Sequence, residues 1–551
     1  MQIREELRQA LDRRFKAIQP ERSQYEADFR DLEQNFSPRR ARWYVTQNNA
    51  KPGANKNIVN GTPLWAVQVL KSGMMSGHTS PSRPWFKLVT PDPALMEANG
   101  VRAWLYLVET RMREVFARSN IYNALPTCYG DLAVWGTTAL GLFHDVRDTI
   151  RAYPYLLGSY WIANGPRLSV DTFGRKWRST VGNVVDEFGK DNVQVSVQRD
   201  YEQGNYDKPV DVCHLIQPNR QRDPRRADNR NMAFQSVYWQ EGWPEQQALR
   251  VSGYNELPVM VARWETAGEA AWGDGAAINA LGDAKQLQFE EKRYAQLLDK
   301  LAEPAYNVPT QLGSKARSTP GAYNVVDPIS GQAGMTPVYV PNPAALQFVT
   351  AKIQDLQARV RQILHTDVFL MLAESDRRQI TAREVEERHS EKLMLLGPIL
   401  ERLSDELLDP LINRTFAIML RDGMIPEWPE ALDAQPVKIE YTSILAQAQK
   451  AVATQAIEAV GGFVAGFAKV SPDALDKFDI DQAIDEYADI KGAPPTIVRS
   501  DEAVANIRRQ RAQAQAAAQA AATAQAMAGA ARDLGNTPMG QNSALDALVG
   551  G

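Results

Sequence analysis

The closest approach to a phosphate-binding loop in this chain is the segment Gly189, Lys190 and Asp191. A nucleotide-binding loop of this kind needs a serine or threonine directly after the lysine, because that hydroxyl holds the magnesium ion. Asp191 occupies the position instead, and no complete motif occurs elsewhere in the sequence. The sequence therefore argues against an ATP-hydrolysing motor.

Residues that could bind a metal ion are scattered along the chain. The five histidines form no H-E-x-x-H pair, which would place two ligands on one helical face; they are His78, His144, His214, His365 and His389. Asp476, Asp479 and Asp481 resemble part of a cation loop but lack its glycine and its closing bidentate acid. We predict turn and cap roles for them, no cofactor and no enzymatic activity. The remaining enzyme hypothesis is a metal-dependent nuclease, which divalent-metal-dependent cleavage by the monomer would reveal.

The densest basic cluster consists of five arginines interrupted by two aspartates and a proline, namely Arg220, Arg222, Asp223, Pro224, Arg225, Arg226, Asp228 and Arg230. Two interpretations remain open. The cluster could bind phosphate groups, or it could be a solvated loop that carries charges of both signs, which is the commoner outcome for such a run.

Composition limits the function classes further. Lys and Arg total 62 against 66 Asp and Glu, a net charge of −4, so we expect no tight DNA binding by the whole surface. Cys128 and Cys213 cannot form a disulfide framework or a four-ligand zinc site, which indicates a reducing compartment. The weakly polar stretch from Ala459 to Ala468 is shorter than the roughly 20 residues that span a bilayer. We therefore predict no membrane partner.

The sequence predicts an α+β protein that is predominantly helical. Its clearest helical signal is a heptad repeat. The heptad residues recur at spacings of 3, 4, 3, 4 and 3 and are Leu346, Val349, Ile353, Leu356, Val360 and Ile363. Such a seam packs lengthwise against other helices. About forty residues rich in proline and glycine separate it from a helix predicted over 283–303, although helices that pack together are usually joined by about 2–8 residues. We therefore expect the seam to lack a partner within its own chain.

The remaining elements follow from local patterns. Apolar spacing predicts helices over 1–20 and 101–119, and β-branched runs predict strands at 193–197 and 259–264. A T-x-x-E capping box at Thr381 begins a long leucine-striped helix that Pro398 and Pro410 should kink. A final helix begins near residue 500 and runs into nearly pure Ala and Gln, so it should be stable mainly beside other copies of itself.

Several segments in a fixed order carry a family resemblance. They are Leu70 to Gly77, Ser80 to Phe86, Ile380 to Leu393, Leu396 to Arg402, Leu407 to Leu411 and Ile444 to Gln449. With them, the chain from about Phe15 to Arg511 resembles the head-to-tail connecting (portal) proteins of short-tailed, podovirus-type bacteriophages. The run Trp272 to Ala276 departs from the family pattern, which has Tyr-Gly-x-Gly-Pro before the first stem helix.

The resemblance implies a portal fold whose subunits, normally twelve, form a ring around a DNA channel at one capsid vertex. It implies these parts: a wing at 1–275, a first stem helix at 276–303, a clip at 304–344, a second stem helix at 345–365, a tunnel loop at 366–380, a kinked wing helix and crown-proximal region at 381–499, and a crown or barrel with a flexible tail at 500–551. The heptad then becomes an oligomer seam in the stem.

The resemblance also implies partners and a location. They are further copies of the chain, double-stranded DNA bound without sequence preference, the terminase large subunit, major capsid and scaffolding proteins, and tail adaptor proteins. Candidate DNA contacts are Lys315 and Arg317 in the clip and Arg377 and Arg378 beside the tunnel loop. The protein would occupy the portal vertex of the virion, and the host cytoplasm during assembly. The alternative is a helical oligomeric scaffold or adaptor without a DNA channel, which imaging for rings would distinguish.

Overall fold

The protein is described here by a computed structural model. It describes residues 5–38, 40–41, 43, 58–92, 95, 100–226, 228–242, 248–308, 310, 312–319, 322–325, 335–338, 342–375, 396–430, 432, 438–441, 457–466, 477–491, 498–499 and 501–535. The chain divides into two compact units, Met1–Pro91 with Ala103–Val452, and Asp92–Arg102 with Ala453–Gly551. About 55% of the structure is helical and 18% lies in strands, which confirms the predicted α+β class.

The helices in chain order are α1 Glu5–Ala17, α2 Gln19–Phe36, α3 Thr62–Gly77, α4 Val101–Arg118, α5 Ile121–Trp135, α6 Val181–Phe188, α7 Val195–Glu202, α8 Ala276–Ala302, α9 Pro343–Ile363, α10 Thr366–Ser375, α11 Gly397–Leu403, α12 Asp409–Arg421, α13 Ile480–Lys491 and α14 Asp501–Gly535. A π-helical turn, Ser404–Leu408, joins α11 to α12, and short 3-10 turns lie at Lys190–Asn192 and Gly313–Lys315.

The strands are β1 Phe86–Val89, β2 Thr137–Asp145, β3 Thr149–Pro154, β4 Tyr160–Asn164, β5 Val170–Thr180, β6 Pro209–Pro218, β7 Phe234–Gln240, β8 Arg250–Tyr254, β9 Val259–Arg263, β10 Tyr306–Asn307, β11 Thr336–Pro337 and β12 Lys438–Tyr441. They form antiparallel sheets in the orders β4-β5-β6-β7-β8, β3-β2-β9, β1-β12 and β10-β11.

Helices cover both faces of the five-stranded sheet, because its strands carry apolar side chains on both faces. On one face, Cys213 and Trp239 pair across β6 and β7 and pack with α1. The Phe15 ring of α1 lies 5.3 Å from Trp161 and 5.6 Å from Trp239, both edge to face. On the other face, α6 and α7 pack on Val212. The amphipathic N-terminal helix therefore contributes to the core.

The predicted strand at 193–197 is wrong, whereas the predicted strand at 259–264 is confirmed as β9. Val193 and Val197 are buried, and Val195 between them is 66% exposed at the start of α7. Residues four apart share one face of a helix, and residues two apart share one face of a strand. The spacing of these valines fits both patterns, and packing against β6 selects the helix.

A buried ion pair ties three segments to the end of β9. The Arg263 guanidinium donates to Glu406 of the π-helical turn, with Nη2 and Oε1 2.5 Å apart, and the Arg263 backbone N–H donates to Glu406 Oε2 at 2.8 Å. Nη2 also donates to the Leu168 carbonyl at 2.9 Å, and Nη1 donates to Asn164 Oδ1 at 3.3 Å. Only 6% of the Arg263 side chain is exposed, so these acceptors replace its hydration.

The leucine-striped helix is divided where the sequence predicted kinks. Pro398 lies in the first turn of α11, where no backbone N–H donor is needed, and Pro410 is the second residue of α12, directly after the π-helical turn. The interruption takes the form of the π-helical turn that carries Glu406. The predicted start of this helix at Thr381 lies outside the described residues.

The second unit contains the helical segment 457–466, α13 and α14. Tyr487 donates to Glu458 Oε1 at 3.0 Å, and Arg508 of α14 pairs with Asp481 at 2.6 Å. Asp479 Oδ1 accepts from the Gln482 backbone N–H at 3.1 Å, so its predicted cap role is confirmed. From Arg508 to Ala530 every side chain of α14 is exposed. Among the described helices, none is both long and apolar enough to cross a membrane.

Glu109 of α4 is a buried acid that forms a long ion pair with Arg113, whose Nη2 is 3.5 Å from Glu109 Oε1. Burial raises the pKa of Glu109 from 4.5 to about 7, although the charges of Arg113 and Lys87 oppose the rise. The folded protein therefore holds this proton more tightly than the unfolded chain does. The resulting stabilisation is complete below pH 4.5 and is lost as the pH rises through about 7.

We expect Glu109→Gln to remove this pH dependence, because glutamine keeps the shape of the neutral acid. At pH 8 the variant should exceed the parent in free energy of unfolding by up to about 3 kcal/mol, and at pH 4 the two should be similar. Thermal unfolding at both pH values measures the difference. Glu114→Gln, on an exposed position of the same helix, is the control and should leave the pH profile unchanged.

We expect Glu406→Gln to destabilise the protein by about 3 kcal/mol or more, because it leaves a buried guanidinium without its counter-charge. Chemical denaturation followed by fluorescence measures the loss. Glu202→Gln removes the partner of Lys190 in an exposed pair at 2.8 Å and should have little effect. Equal stability of the Glu406→Gln variant and the parent would contradict a central role for the buried pair.

Candidate functional site: a projecting helix pair

The candidate site is built on α8 and α9, and α8 begins where two glycines allow close backbone contact. Gly136 ends α5 with φ of +70°. A Cβ atom on Gly275 would lie 2.6 Å from the Gly136 nitrogen and 2.7 Å from the Ala133 carbonyl oxygen, and one on Gly273 would lie 2.6 Å from the Gly136 oxygen. No larger residue fits at either position. Trp272, which stands where the family pattern has tyrosine, fits at this position because its ring is buried and stacks on Tyr160.

A glutamine clamp fixes the buried part of α8 to the segment before α3. Gln288 Oε1 accepts from the backbone N–H groups of Val59 and Asn60 at 2.8 and 2.9 Å, and its Nε2 donates to the Asn60 carbonyl at 2.8 Å. The Asn60 side chain in turn donates to Glu291 at 2.5 Å. These bonds satisfy the polar atoms of a side chain that is 7% exposed, so the root of α8 has a defined position.

The heptad seam of α9 packs against α8 of the same chain. Ile353 and Leu356 are buried in one cluster with Leu287 of α8, and Tyr294 and Val349 pack on its edge. Sequence reasoning expected no partner within the chain, and that expectation is wrong. The long connection between the helices returns the chain on itself, so α8 covers the seam.

The six predicted seam residues are not equally buried. Ile353, Leu356 and Val360 are 7%, 0% and 0% exposed, whereas Leu346, Val349 and Ile363 are half-buried.

The helix pair becomes more exposed away from its root. Ala284 of α8 and Val360 of α9 are fully buried, whereas Leu298 and Phe348 are 41% and 77% exposed. Phe289, two residues after the seam residue Leu287, is 55% exposed. The far half of the pair therefore presents large apolar side chains to solvent while its inner seam is filled.

The connection between the two helices contains a minimal two-stranded ladder. Tyr306 pairs with Pro337 in β10 and β11, and Arg317 and Asn324 exchange two hydrogen bonds of 2.8 and 2.7 Å. Lys315 and Arg317 are exposed, and Tyr323 is 94% exposed. The described part of the connection thus offers charged and aromatic side chains to solvent.

The segment after α9 needs a correction. His365 adopts φ of +52° and ends the helix, and residues Thr366–Ser375 then form α10 where an irregular loop was expected. Phe369 packs so tightly on α3 that a Cβ at Gly73 would lie 2.3 Å from its ring. A glycine inside a helix was the only sequence signal for this contact. Arg377 and Arg378 lie outside the described residues.

The described residues contain no group of three or more His, Cys, Asp or Glu side chains that could hold a metal ion. Burial lowers the pKa of His78 to about 4. His214 is also buried, with Nε2 2.9 Å from Ser236 Oγ, and its pKa is well below the usual value because of burial and the charges of Arg175 and Arg250. Both rings are uncharged members of the core. The large apolar side chains that α8 and α9 leave exposed, such as Phe289 and Phe348, give the site the character of a contact surface.

Comparison with known proteins agrees with this character. A family model described as bacteriophage head to tail connecting protein matches residues 8–498. The chain is 42% identical over 544 residues to a portal protein of Salmonella phage epsilon15, covering 98% of each chain. It is 37% identical over 539 residues to a probable portal protein of Bordetella phage BPP-1, covering 98% of this chain and 97% of the relative.

We expect Ile353→Asp to separate the two helices within each subunit, because it buries an unpaired charge beside Leu287. The loss should reach about 3 kcal/mol or more, and it should appear in the isolated subunit as well as in any assembly. Proteolysis and circular dichroism of the purified variant detect the separation. Gln354→Asp, one residue away at an exposed position, is the control. A stable Ile353→Asp subunit would show that the seam is not packed within the chain.

Proposed function

This chain belongs to the family of bacteriophage head to tail connecting proteins, and from that premise we propose that it forms a ring-shaped portal at one capsid vertex. Double-stranded DNA would enter the head through the central channel during packaging and leave through it during ejection. The number of subunits that the family resemblance implies is twelve. The protein would act as a structural channel, with no chemical step of its own.

The observation that best supports this proposal is the projecting helix pair. Its root is held by the Gly275 contact and the Gln288 clamp, and its seam is filled from within the chain. In the proposed ring, α8 and α9 form the stem, and residues 304–344 form the clip at its end. Residues 1–275 belong to the wing, the tunnel segment covers 366–380, and the wing continues through 381–499.

Contacts between neighbouring subunits would use the faces that α8 and α9 leave exposed. Phe289 and Phe348 are large apolar residues off the filled seam, and they are 55% and 77% exposed. A closed ring is built from heterologous contacts, in which one face of each subunit meets a different face of the next. Two exposed apolar side chains on different helices suit such a head-to-tail arrangement, and burial on assembly would remove both from water.

DNA would pass the ring through weak contacts with its phosphate groups, because tight contacts would stop it from sliding. We assign this role to Lys315 and Arg317 in the clip and to Arg377 and Arg378 beside the tunnel segment. Both described members of this set are exposed.

The other partners follow from the same assignment. The clip would dock the terminase large subunit during packaging and tail adaptor proteins afterwards, and the wing would meet major capsid and scaffolding proteins. The exposed Ala and Gln residues of α14 suit close packing of identical helices, so residues 500–551 would form the crown or a barrel.

The ring can be tested by sedimentation and negative-stain imaging of the purified protein and of assembled heads. We expect rings for the parent, and a large loss of rings for the double variant Phe289→Ser/Phe348→Ser with an unchanged thermal unfolding midpoint of the subunit. Val146→Ser/Val195→Ser removes two apolar side chains that are 97% and 66% exposed elsewhere and should assemble normally.

The possible outcomes separate the parts of the proposal. Normal rings from the phenylalanine variant would place the subunit contact elsewhere. A parent protein that remains monomeric and also fails to join heads would overturn the portal function itself. Defined oligomers without a central channel would support the scaffold alternative.

A further inference from the structure

The loop between β6 and β7 carries the densest positive charge in the sequence, and the portal function leaves it unexplained. We call residues 219–233 the arginine loop. It contains five arginines and two aspartates, an excess of three positive charges in a chain whose net charge is −4. At physiological salt, charges interact over only about 8 Å. A partner at this loop therefore meets a local positive surface despite the acidic total.

The two aspartates of the arginine loop are used to shape its backbone. Asp223 Oδ1 accepts from the Arg225 N–H at 3.0 Å, and Asp228 Oδ1 accepts from the N–H groups of Arg230 and Asn231, both at 3.0 Å. At the base of the loop, the Asn219 N–H donates to the Ala233 carbonyl at 2.8 Å. The loop is therefore a structured platform, and its carboxylates are already engaged as turn acceptors.

The arginine side chains themselves are exposed. Arg226 is 3.9 Å from Asp223 in a pair that is 71% and 49% exposed, and such exposed pairs contribute little. Within the described part of the chain, neither Arg220 nor Arg225 makes an ion pair. Arginines elsewhere in the same sheet differ, since Arg178 pairs with Asp211 through two bonds of 2.8 and 3.0 Å.

We propose that the arginine loop is a binding site for the phosphate backbone of duplex DNA, separate from the channel contacts assigned above. The inference rests on the proposed function only in that this function brings DNA to the protein. Guanidinium groups match phosphate oxygens in a two-bond fork. A fixed loop that presents several of them suits neighbouring phosphates along a duplex.

The composition of the loop favours DNA over the other acidic partners. The arginine loop contains no aromatic residue, and its largest apolar side chain, Met232, is half-buried beside Gly253 of β8. Protein interfaces obtain most of their affinity from apolar and aromatic anchors that become fully desolvated, and single strands are held by stacking on aromatic rings. Backbone contact with a duplex needs neither, because release of counterions supplies the free energy.

The test compares Arg220→Gln/Arg225→Gln/Arg226→Gln with the parent in the full-length protein. The triple variant keeps Arg222, whose Nε donates to the Asn231 carbonyl at 3.1 Å, and Arg230. Fluorescence anisotropy with a labelled duplex of about 30 base pairs, from about 50 to about 200 mM salt, gives the salt slope. We expect the slope to fall by about 2.7, so that the parent loses roughly 40-fold more affinity than the variant over this range.

The matched control is Arg147→Gln/Arg167→Gln/Arg199→Gln, which removes the same charge from three exposed positions outside the loop. It should retain the salt slope of the parent. Equal slopes for the loop variant and the parent would overturn the proposal, and so would equal losses in the loop and control variants, because total charge would then explain the effect.

Two further measurements decide the partner and separate this inference from the portal function. If the loop variant loses binding to polyglutamate but not to the duplex, the loop is a site for an acidic protein and the proposal is wrong. If the parent forms rings and packages DNA but shows no loop-dependent duplex binding, this inference fails while the portal function stands. Loss of duplex binding by a variant that still forms rings would support the site.

Discussion

The buried charge of Arg263 is the constraint on which the arrangement of the first unit depends. Its guanidinium needs acceptors at the end of β9, and they come from the end of β4, the β4–β5 connection and the π-helical turn. Leu168, which supplies one carbonyl, adopts φ of +58°. These segments are far apart in the sequence and converge only when each is folded. The chain continues from this point towards α8, whose root is held by the Gly275 contact and the Gln288 clamp.

In the proposed ring, folding and assembly would use different surfaces of the helix pair. The heptad seam is satisfied within the chain by Leu287, which allows the pair to form in a single subunit before any ring exists. The side chains that the proposed ring would bury, such as Phe348, are off the seam and exposed. A subunit built in this way would fold first and join a ring later, because the contacts proposed for assembly are not those that hold the helix pair together.

The charges of the chain are divided in a similar way. Some arginines, including Arg263 and Arg178, are held by carboxylates and stabilise the fold. Others, such as Arg317 and the arginines of the arginine loop, are exposed. In the proposed channel DNA would have to stay free to slide, and separated groups of exposed cations within a net acidic protein would meet that requirement better than a uniformly basic surface.

The sequence by itself determined the patterns that depend on near neighbours. The heptad spacing predicted α9, and the β-branched run from Val259 to Trp264 predicted β9. Only the tertiary structure decided that Leu287 covers the seam, that the valines from 193 to 197 surround a helix start, that α10 replaces the first part of a loop, and that the loop aspartates shape its backbone while its arginines face solvent. These outcomes could not be read from the sequence, because each depends on which distant residue covers a side chain or accepts its hydrogen bonds.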